Sequence, residues 1–443
     1  MHYHPLTDED RREMLGAIGV RRFEDLLTAV PSKLRARDIA IAEATSEPEL
    51  RREIEKIAQT NRTSQTVLSF LGGGSYEHFI PAALPQILGR NEFYTAYTPY
   101  QPEASQGTLQ AIFEYQSLIA ELTAMSVSNA SHYDGATSLA EAGLVALRQT
   151  GRQKLLVARS VHPDYRQVLQ TYLESAHFTV EEFGFENNGK FNRKEFENLL
   201  TEEIGGVIFQ TPNFLGVVED LEGLAEKIHA KGALFIVSSN PLSLGVIRPP
   251  GEWGADLAVG EGQPLGIPAG FGGPYLGYFA ASRELVRKIP GRLAGMTIDR
   301  EGRRAFVLTL QAREQHIRRE RASSNICTNE GLCALAACIY LTLVGKEGIR
   351  EVGELNLDRA HYLREAIGKL KGFNVNQSPV FNEFVVTAEK PFDEIQTRLV
   401  SQGILLGINL GRYYPEMKNS FLVCATETKS QEDLDRFVQA LKG

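Results

Sequence analysis

Residues 205–240 read GGVIFQTPNFLGVVEDLEGLAEKIHAKGALFIVSSN. The stretch contains two short, almost continuously apolar runs, and the amphipathic segment between them ends at Lys231 and Gly232. Continuous apolar runs are typical of parallel strands buried on both faces, and a basic residue followed by glycine is a common helix end. The stretch therefore predicts a strand, a helix and a second strand parallel to the first.

A second unit of the same kind precedes it in the chain. KLLVARS from Lys154 predicts a strand, Pro163 to Leu173 a helix, and HFTVEEFGF from His177 another strand. This alternation predicts a doubly wound, mostly parallel α/β sheet. In such sheets ligands bind beyond the carboxyl ends of the strands.

The 443 residues are too many for one compact core, and the pattern of predicted helices and strands divides the chain into three parts. Residues 1–65 predict an N-terminal helical arm, in which Thr7 and Ser46 are the helix N-caps. Residues 66–325 predict a large α/β domain, and residues 326–443 a smaller C-terminal α/β domain. Arms of this kind often wrap a partner subunit.

Composition narrows the function. The net charge of −8 argues against a sequence-blind nucleic-acid binder, although a local basic patch is compatible with it. No uninterrupted apolar run reaches the roughly 18–20 residues of a membrane span, and the N-terminus lacks the apolar region of a secretory signal. We therefore expect a cytoplasmic protein without a membrane partner. The cysteines lack metal-type spacing and predict buried free thiols and no metal site: Cys327, Cys333, Cys338 and Cys424.

The glycine-rich loop GEGQPLGIPAGFGGPYLG, from Gly260, resembles the loops that carry a Schiff-base lysine, but Gln263 and Pro264 stand where that lysine is expected. The preceding strand, ALFIVSSN, ends in Ser238 and Ser239. In pyridoxal-phosphate enzymes with this kind of sheet, that strand end usually carries the aspartate that holds the pyridine nitrogen protonated. Serine cannot supply the negative charge and glutamine cannot form the imine. The two departures predict a pyridoxal-enzyme scaffold without its cofactor chemistry.

The stretch YDGATSLAEAGLVAL, from Tyr133, places Asp134, Gly135, Ala136 and Thr137 before a long run of helix formers. Free backbone N–H groups and the positive end of the helix dipole make such a start a cup for an anion. The same residues also fit an ordinary helix cap, and both interpretations stay open.

Two further segments have two interpretations each. Tyr97 and Tyr100, in TAYTPYQPEASQGTLQ, are suited to stacking on a planar ligand or to donating hydrogen bonds, and equally to a protein interface. The arginine-rich stretch QAREQHIRRERASSNICTNEG, from Gln311, predicts either a solvated charged helix or a second anion cap formed by its serine and asparagine residues, Ser323, Ser324 and Asn325.

Five long motifs indicate a family. They are FLGGGSYEHFIP, FYTAYTPYQPEASQGTLQAIFEYQSLIAELTAM, NASHYDGATSLAEA, GQPLGIPAGFGGPYLGY and REQHIRRERASSNICTNEGLCALAA. Across essentially its whole length the chain resembles the alpha subunit (subunit 1) of bacterial two-subunit glycine dehydrogenase (decarboxylating), the P-protein of the glycine cleavage system. This resemblance implies the pyridoxal-phosphate-dependent fold type I.

The resemblance also implies a reaction and partners. P-protein decarboxylates glycine with pyridoxal phosphate and transfers the aminomethyl group to the lipoyl group of H-protein. In the two-subunit type, alpha and beta chains are divergent copies of one fold and form an alpha2beta2 assembly. The beta subunit supplies the lysine and holds pyridoxal phosphate. This chain is then expected to bind no cofactor covalently, to have no catalytic residue of its own, and to act only in the complex.

In this fold active sites lie at a subunit interface, so a subunit without the lysine still completes the site of its partner. The resemblance implies five shared-site residues, Tyr97, Tyr100, Ser323, Ser324 and Asn325. The last three are expected near the phosphate of the partner's cofactor, and Ser323 keeps the hydroxyl of the threonine expected in relatives. The cup at Gly135, Ala136 and Thr137 is expected to be a relic, empty or holding a stray anion.

Three alternatives are weighed against this function. A purely structural or regulatory pseudoenzyme would partner a pyridoxal-phosphate enzyme without touching glycine. An enzyme that holds pyridoxamine phosphate without a lysine is disfavoured, because the loop has no histidine and Ser238 cannot protonate the pyridine. A nicotinamide-dependent dehydrogenase would need G-x-G-x-x-G after an early strand, which the sequence lacks.

Overall fold

The structure, a computed structural model, describes residues 6–36, 41, 44–63, 66–270, 272–326 and 328–442. The chain divides into two compact units, Met1–Arg62 and Thr63–Gly443. Cys327 lies outside the described residues; Cys333, Cys338 and Cys424 are free thiols, the first half-buried and the others buried. The domain boundaries drawn from the sequence stay a prediction.

The first unit contains the helices α1 (Asp8–Ile18) and α2 (Glu47–Ala58). Thr7 and Ser46 cap them, each in a reciprocal capping box with the acidic residue three positions on, which confirms the two predicted N-caps. Neither helix has a buried residue.

The second unit alternates helices and strands. Its α-helices are α3 (Ala83–Leu88), α4 (Asn91–Tyr94), α5 (Gln106–Thr123), α6 (Gly135–Thr150), α7 (Pro163–Ser175), α8 (Arg193–Leu199), α9 (Leu224–Ala230), α10 (Gln315–Arg318), α11 (Gly331–Gly368), α12 (Phe392–Ser401) and α13 (Gln431–Lys442). Its strands are β1 (Leu68–Ser69), β2 (Val127–Ser128), β3 (Lys154–Ala158), β4 (Thr179–Phe183), β5 (Ile204–Gln210), β6 (Leu234–Ser238), β7 (Leu257–Glu261), β8 (Gly277–Ala281), β9 (Leu293–Ile298), β10 (Arg304–Thr309), β11 (Phe373–Val375), β12 (Glu383–Ala388), β13 (Ile404–Leu405), β14 (Ile408–Asn409) and β15 (Ser420–Cys424).

The large sheet has seven strands in the order β2-β8-β7-β6-β5-β3-β4. Neighbours from β7 to β4 are parallel, and β8 is antiparallel to both β7 and β2. Both predicted strand–helix–strand units are confirmed: β3, α7 and β4 form one, and β5, α9 and β6 the other. Each crossover joins strands that are paired in parallel, so the mostly parallel α/β fold is confirmed as well.

Helices cover both faces of this sheet. In β7, Leu257 and Val259 pack into a core shared with α6, α7 and α9, whereas Ala258 packs into a second core with α5 and α11. Successive side chains of a strand point to opposite faces, so each face buries its own apolar set. The doubly wound arrangement leaves the carboxyl ends of the parallel strands together at one edge, where the site residues lie.

The C-terminal part forms a second, antiparallel sheet in the order β11-β12-β15-β14. Its core contains residues of α12 and α13 and also Phe70, whose ring stacks on Phe437 with centroids 3.9 Å apart. Helix α11 joins the two regions: its first half packs with the large sheet and its last turns pack with the small one. The helix is kinked at Gly345, which is not helical and has a φ of 61°, and Ile349 beyond the kink still packs with the large sheet.

Helix α11 is long and apolar enough to cross a membrane by length and composition. Reading only uninterrupted apolar runs did not anticipate this, because a few polar residues interrupt the run. Half of its most apolar 18-residue window is buried inside the protein. Ala337 and Tyr340 lie in the core against the large sheet, as expected for a core helix, so the helix is weak evidence for a membrane span.

Candidate functional site

Strand β6 delivers two serines to the carboxyl edge of the large sheet. Ser238, its last residue, is buried and pairs with Val259 of β7. The hydroxyl of Ser239, the next residue, lies 2.9 Å from the hydroxyl of Tyr278, which also donates to the Ser239 carbonyl oxygen at 2.6 Å. Hydroxyl groups occupy this strand end, so no negative charge is present at Ser238 or Ser239 to hold a pyridine nitrogen protonated.

Gln263 stands just beyond β7 and is 1% exposed. Its side-chain amide donates to the carbonyl oxygens of Tyr76, at 2.9 Å, and Ile267, at 2.6 Å. Its side-chain oxygen accepts the backbone N–H of Tyr76 at 2.9 Å. The position predicted for a lost lysine therefore holds a fully bonded amide that joins two loops.

The predicted phosphate cup is the N-terminus of α6. Asp134 and Thr137 form a capping box, in which the backbone N–H of Thr137 donates to the Asp134 carboxylate at 2.7 Å. The backbone N–H of Gly135 donates instead to Oε2 of Glu261 at 3.0 Å. Ala136 is buried in the first turn of the same helix. The start of α6 therefore has an ordinary N-cap, Asp134, and the carboxyl group of Glu261 occupies the predicted anion cup.

Glu261 also accepts two more backbone N–H groups through Oε1, those of Gln263 at 2.9 Å and Leu276 at 3.0 Å. Burial raises the pKa of Glu261 to about 8, against the lowering effect of these donors. The sequence reading missed this residue. The available signal was an acid at the end of an apolar strand, two residues before Gln263.

Two aromatic side chains, His162 and Tyr165, cover the cup at the start of α6. The rings of His162 and Tyr165 stack with centroids 4.7 Å apart and an interplanar angle of 23°. Nδ1 of His162 accepts the N–H of Asp164 at 3.1 Å, so Nε2 carries the proton and donates to the Gly73 carbonyl oxygen at 2.7 Å. A Cβ built on Gly135 would collide with the hydroxyl of Tyr165, so the ring lies directly against the cup.

Pyridoxal phosphate, the cofactor that the fold implies, does not fit this pocket. Position 263 offers no amine for an imine, and Ser238 offers no charge for the pyridine nitrogen. Two backbone N–H groups of the cup already have acceptors, that of Gly135 in Glu261 and that of Thr137 in Asp134. Among the described residues, no group of three or more histidine, cysteine, aspartate or glutamate side chains is placed to hold a metal ion.

A second group of residues surrounds an open cavity of about 290 Å³. Tyr97, which is 84% exposed, lines it from one side. The segment that leads into α11 lines it from the other, with Thr328 and Gly331. The cavity therefore lies between two of the segments singled out in the sequence.

Arg292 links those two segments. It is 3% exposed, donates to the Tyr100 hydroxyl at 3.0 Å and to the Thr328 hydroxyl at 3.2 Å, and its guanidinium carbon lies 5.3 Å from the centroid of the Tyr100 ring. Oε2 of Glu314 lies 4.0 Å from Nε of Arg292, and its negative charge partly compensates that of the guanidinium. Sequence reasoning missed Arg292, since an arginine within the run IPGRLAGM has no pattern that distinguishes it from a surface residue.

The arginine-rich segment differs from both sequence interpretations. It forms the short helix α10 between two 3-10 turns, and Arg313 is half-buried and donates to the Gly291 carbonyl oxygen at 2.9 Å. In the described part of this segment, Ser323, Ser324 and Asn325 do not cap a helix, because α11 begins only at Gly331 and the residue at its N-cap is Glu330. Ser323 and Ser324 therefore lie before the helix and not at its first turn.

Hydrogen bonds fix the two serines. The Ser324 hydroxyl donates to Glu141 of α6 at 2.7 Å and accepts the Ile326 N–H at 3.1 Å, and the Ser323 carbonyl oxygen accepts from the Arg148 guanidinium. Burial raises the pKa of Glu141 to about 7. Asn325, the next residue in the chain, is exposed. The structure thus ties this segment to the helix that begins at the cup.

Comparisons with known proteins agree with this architecture. The family model described as "Glycine cleavage system P-protein" matches residues 1–441. A protein of Geobacillus thermodenitrificans named probable glycine dehydrogenase (decarboxylating) subunit 1 is 48% identical over 440 residues, covering 99% of this chain and 98% of that protein. A protein of the same name from Thermomicrobium roseum is 50% identical over 444 residues, covering 100% and 99%.

Solved structures extend the likeness to three dimensions. A crystal structure of glycine decarboxylase (P-protein) of the glycine cleavage system, in inhibitor-bound form, matches with a TM-score of 0.91 and 44% identity, covering 100% of this chain and 99% of that one. A sphingosine-1-phosphate lyase of Burkholderia pseudomallei matches with a TM-score of 0.67 at 13% identity, covering 93% of each chain. That second likeness concerns the fold alone, which is the pyridoxal-phosphate-dependent fold type I.

Proposed function

The chain belongs to the glycine cleavage system P-protein family, and from this membership we propose that it is the glycine decarboxylase subunit that carries no Schiff-base lysine. Together with a beta subunit it decarboxylates glycine and transfers the aminomethyl group to the lipoyl group of H-protein. The single observation that carries the division of labour is Gln263, a buried, fully bonded amide where a catalytic subunit needs an amine.

The cofactor belongs to the partner in this proposal. Pyridoxal phosphate supplies the electron sink that a decarboxylation of glycine requires. Three features of this chain support its absence here: the amide of Gln263, the hydroxyl of Ser238 and the carboxyl group of Glu261 in the phosphate cup. The chain is therefore enzymatic only in the complex, for which we propose the alpha2beta2 form, acting in the cytoplasm.

The contribution of this chain is a face that completes the partner's site. Tyr97 and Asn325 are exposed and free of the core, so their side chains are available to a second chain. Tyr100 is half-exposed but held by Arg292, which orients its hydroxyl at no entropic cost to the partner. We propose that Ser323 and Ser324, which are bonded to α6, belong to the same face.

A purely structural or regulatory subunit is the alternative, and the exposure of Tyr97 argues against it. A large aromatic side chain that is 84% exposed at the rim of a cavity has no packing role within this chain. We propose that this side chain contacts a ligand or the residues of a partner.

Reconstitution tests the proposed function. The full chain is incubated with pyridoxal phosphate, alone and with the beta subunit, and the visible aldimine band, the borohydride-trapped adduct and CO2 release from labelled glycine are recorded. We expect no band and no adduct from the chain alone, and both band and turnover from the mixture. A trapped adduct on the isolated chain, together with CO2 release, would show that one of its own lysines is catalytic.

Two substitutions separate the shared-site role from the structural alternative. Tyr97→Ala and Asn325→Ala in the assembled complex are expected to lower turnover, because both side chains are exposed at the proposed face. Lys369→Ala, at the exposed residue that follows α11, is the control and leaves turnover unchanged. Unchanged turnover for Tyr97→Ala and Asn325→Ala, with a normal complex, removes these residues from the site and favours the structural alternative.

A further inference from the structure

Three backbone N–H groups from separate segments converge on one side chain. Gly135 begins α6, Gln263 follows β7 and Leu276 precedes β8, and each N–H donates to the carboxyl group of Glu261 within 3.0 Å. The convergence brings a helix N-terminus and two loop amides to the same point. Such a set of inward-pointing N–H groups is suited to an oxyanion, and here the oxygen atoms come from the protein.

We propose that Glu261 is a built-in substitute for a cofactor phosphate: its carboxyl group supplies the acceptor for these three N–H groups and closes the cup to added anions. The chain then reaches and keeps its fold without the cofactor that its scaffold implies. The inference goes beyond the proposed function and does not depend on it, because it concerns the chain's own pocket and needs neither partner nor glycine.

Neighbouring side chains support the closure. The ring of Tyr165 lies against Gly135 and stacks on His162, which is itself bonded to the Gly73 carbonyl oxygen. The backbone N–H of Glu261 would lie 2.8 Å from a Cβ at Gly135, so the strand end and the helix start are in close contact. With Tyr165 above and Glu261 inside, the cup has no free donor at Gly135 to offer to a ligand.

Removal of the carboxyl group tests the proposal. Glu261→Ala leaves three buried N–H groups without an acceptor, and we expect a lower thermal unfolding midpoint for the full chain. Formate has the chemistry of the lost group, so 100 mM formate is expected to recover roughly 3 °C or more relative to chloride at equal ionic strength. The unsubstituted chain is expected to respond to inorganic phosphate no more than to chloride, because its cup is filled.

Glu219→Ala is the matched control. Glu219 is also buried and also accepts a backbone N–H, that of Phe191 at 3.0 Å, but it does not lie at a helix N-terminus. We expect this variant to lose stability and to gain nothing from formate. If Glu261→Ala does not fold, its refolding in formate against chloride gives the same information.

Each measurement has its own result that would contradict the proposal. An unchanged unfolding midpoint for Glu261→Ala would show that the three contacts contribute nothing. Equal effects of formate on the two variants, or no recovery of Glu261→Ala by formate in either assay, would show that the cup does not select an anion. A phosphate-specific rise for the unsubstituted chain would show that its cup is open.

Discussion

The side chain of Gln263 and the backbone of Tyr76 exchange two hydrogen bonds, each 2.9 Å long. An amide both donates and accepts, and so matches a backbone peptide, whereas a lysine ammonium only donates. The Tyr76 hydroxyl in turn donates to Glu383 at 2.7 Å, and Glu383 accepts the Gly73 N–H at 2.6 Å. The loop that contains Gly73 and Tyr76 is therefore bonded to Gln263, beside the large sheet, and to Glu383 of the small sheet.

Restoring the lysine does not restore the chemistry. Gln263→Lys is expected to give no borohydride-trapped adduct with pyridoxal phosphate, because Ser238 and Glu261 remain unsuited to the ring and its phosphate. The substitution also removes the acceptor of the Tyr76 N–H and buries a charge, so we expect a loss of about 3 kcal/mol or more in the free energy of unfolding. Adduct formation by mass spectrometry and urea unfolding check both parts; a stable chain that forms the imine would contradict them.

Loss of the Tyr76 hydroxyl weakens the fastening of the loop. Tyr76→Phe leaves the buried Glu383 carboxyl group without one of its donors, which is expected to cost about 1–3 kcal/mol in the free energy of unfolding. Tyr94→Phe is the control, since this side chain is exposed, and is expected to change stability by no more than about 0.5 kcal/mol. Equal urea midpoints for the two variants would show that the hydrogen bond from the Tyr76 hydroxyl to Glu383 does not contribute to stability.

Arg292 positions the shared face through Tyr100 and Thr328. Arg292→Lys keeps the charge but lacks the planar fork that reaches both hydroxyls, so turnover of the assembled complex is expected to fall about tenfold. Because Arg292 and Tyr100 act together, adding Tyr100→Phe to Arg292→Lys should lower kcat/KM less than the sum of the single effects. Arg303→Lys, on the exposed β9–β10 turn, serves as control. If the effects of the two substitutions on kcat/KM are strictly additive, Arg292 does not act through Tyr100.

The free energy of unfolding should fall as the pH rises from about 4.5 to about 7. Burial raises the pKa of Glu383 from 4.5 to about 7, so between these values the folded chain binds a proton that the unfolded chain has released. The contribution is therefore complete below pH 4.5 and is lost as the pH approaches 7. Glu383→Gln, which cannot titrate, is expected to flatten this part of the profile of urea midpoint against pH. An unchanged slope in that variant would exclude Glu383 as the source.

Periodicity predicted much of the fold. The β3–α7–β4 and β5–α9–β6 units follow from apolar runs and amphipathic spacing within about 35 residues of chain, and the N-caps at Thr7 and Ser46 follow from residue types at fixed offsets. Helix α11 was harder to interpret, because it is kinked at Gly345 and packs with the small sheet only in its last turns. Local pattern does not distinguish a long core helix from two shorter ones.

By itself the sequence determined the fold class, the missing lysine at Gln263, the missing acid at Ser238 and the family, since each rests on residue identity or local spacing. Only the tertiary structure decided that Glu261 fills the cup at Gly135 and that Arg292 joins Tyr100 to Thr328. These contacts connect residues 126, 192 and 36 positions apart. A hydrogen bond depends on where two groups meet after the sheet has formed, and no local periodicity records that meeting.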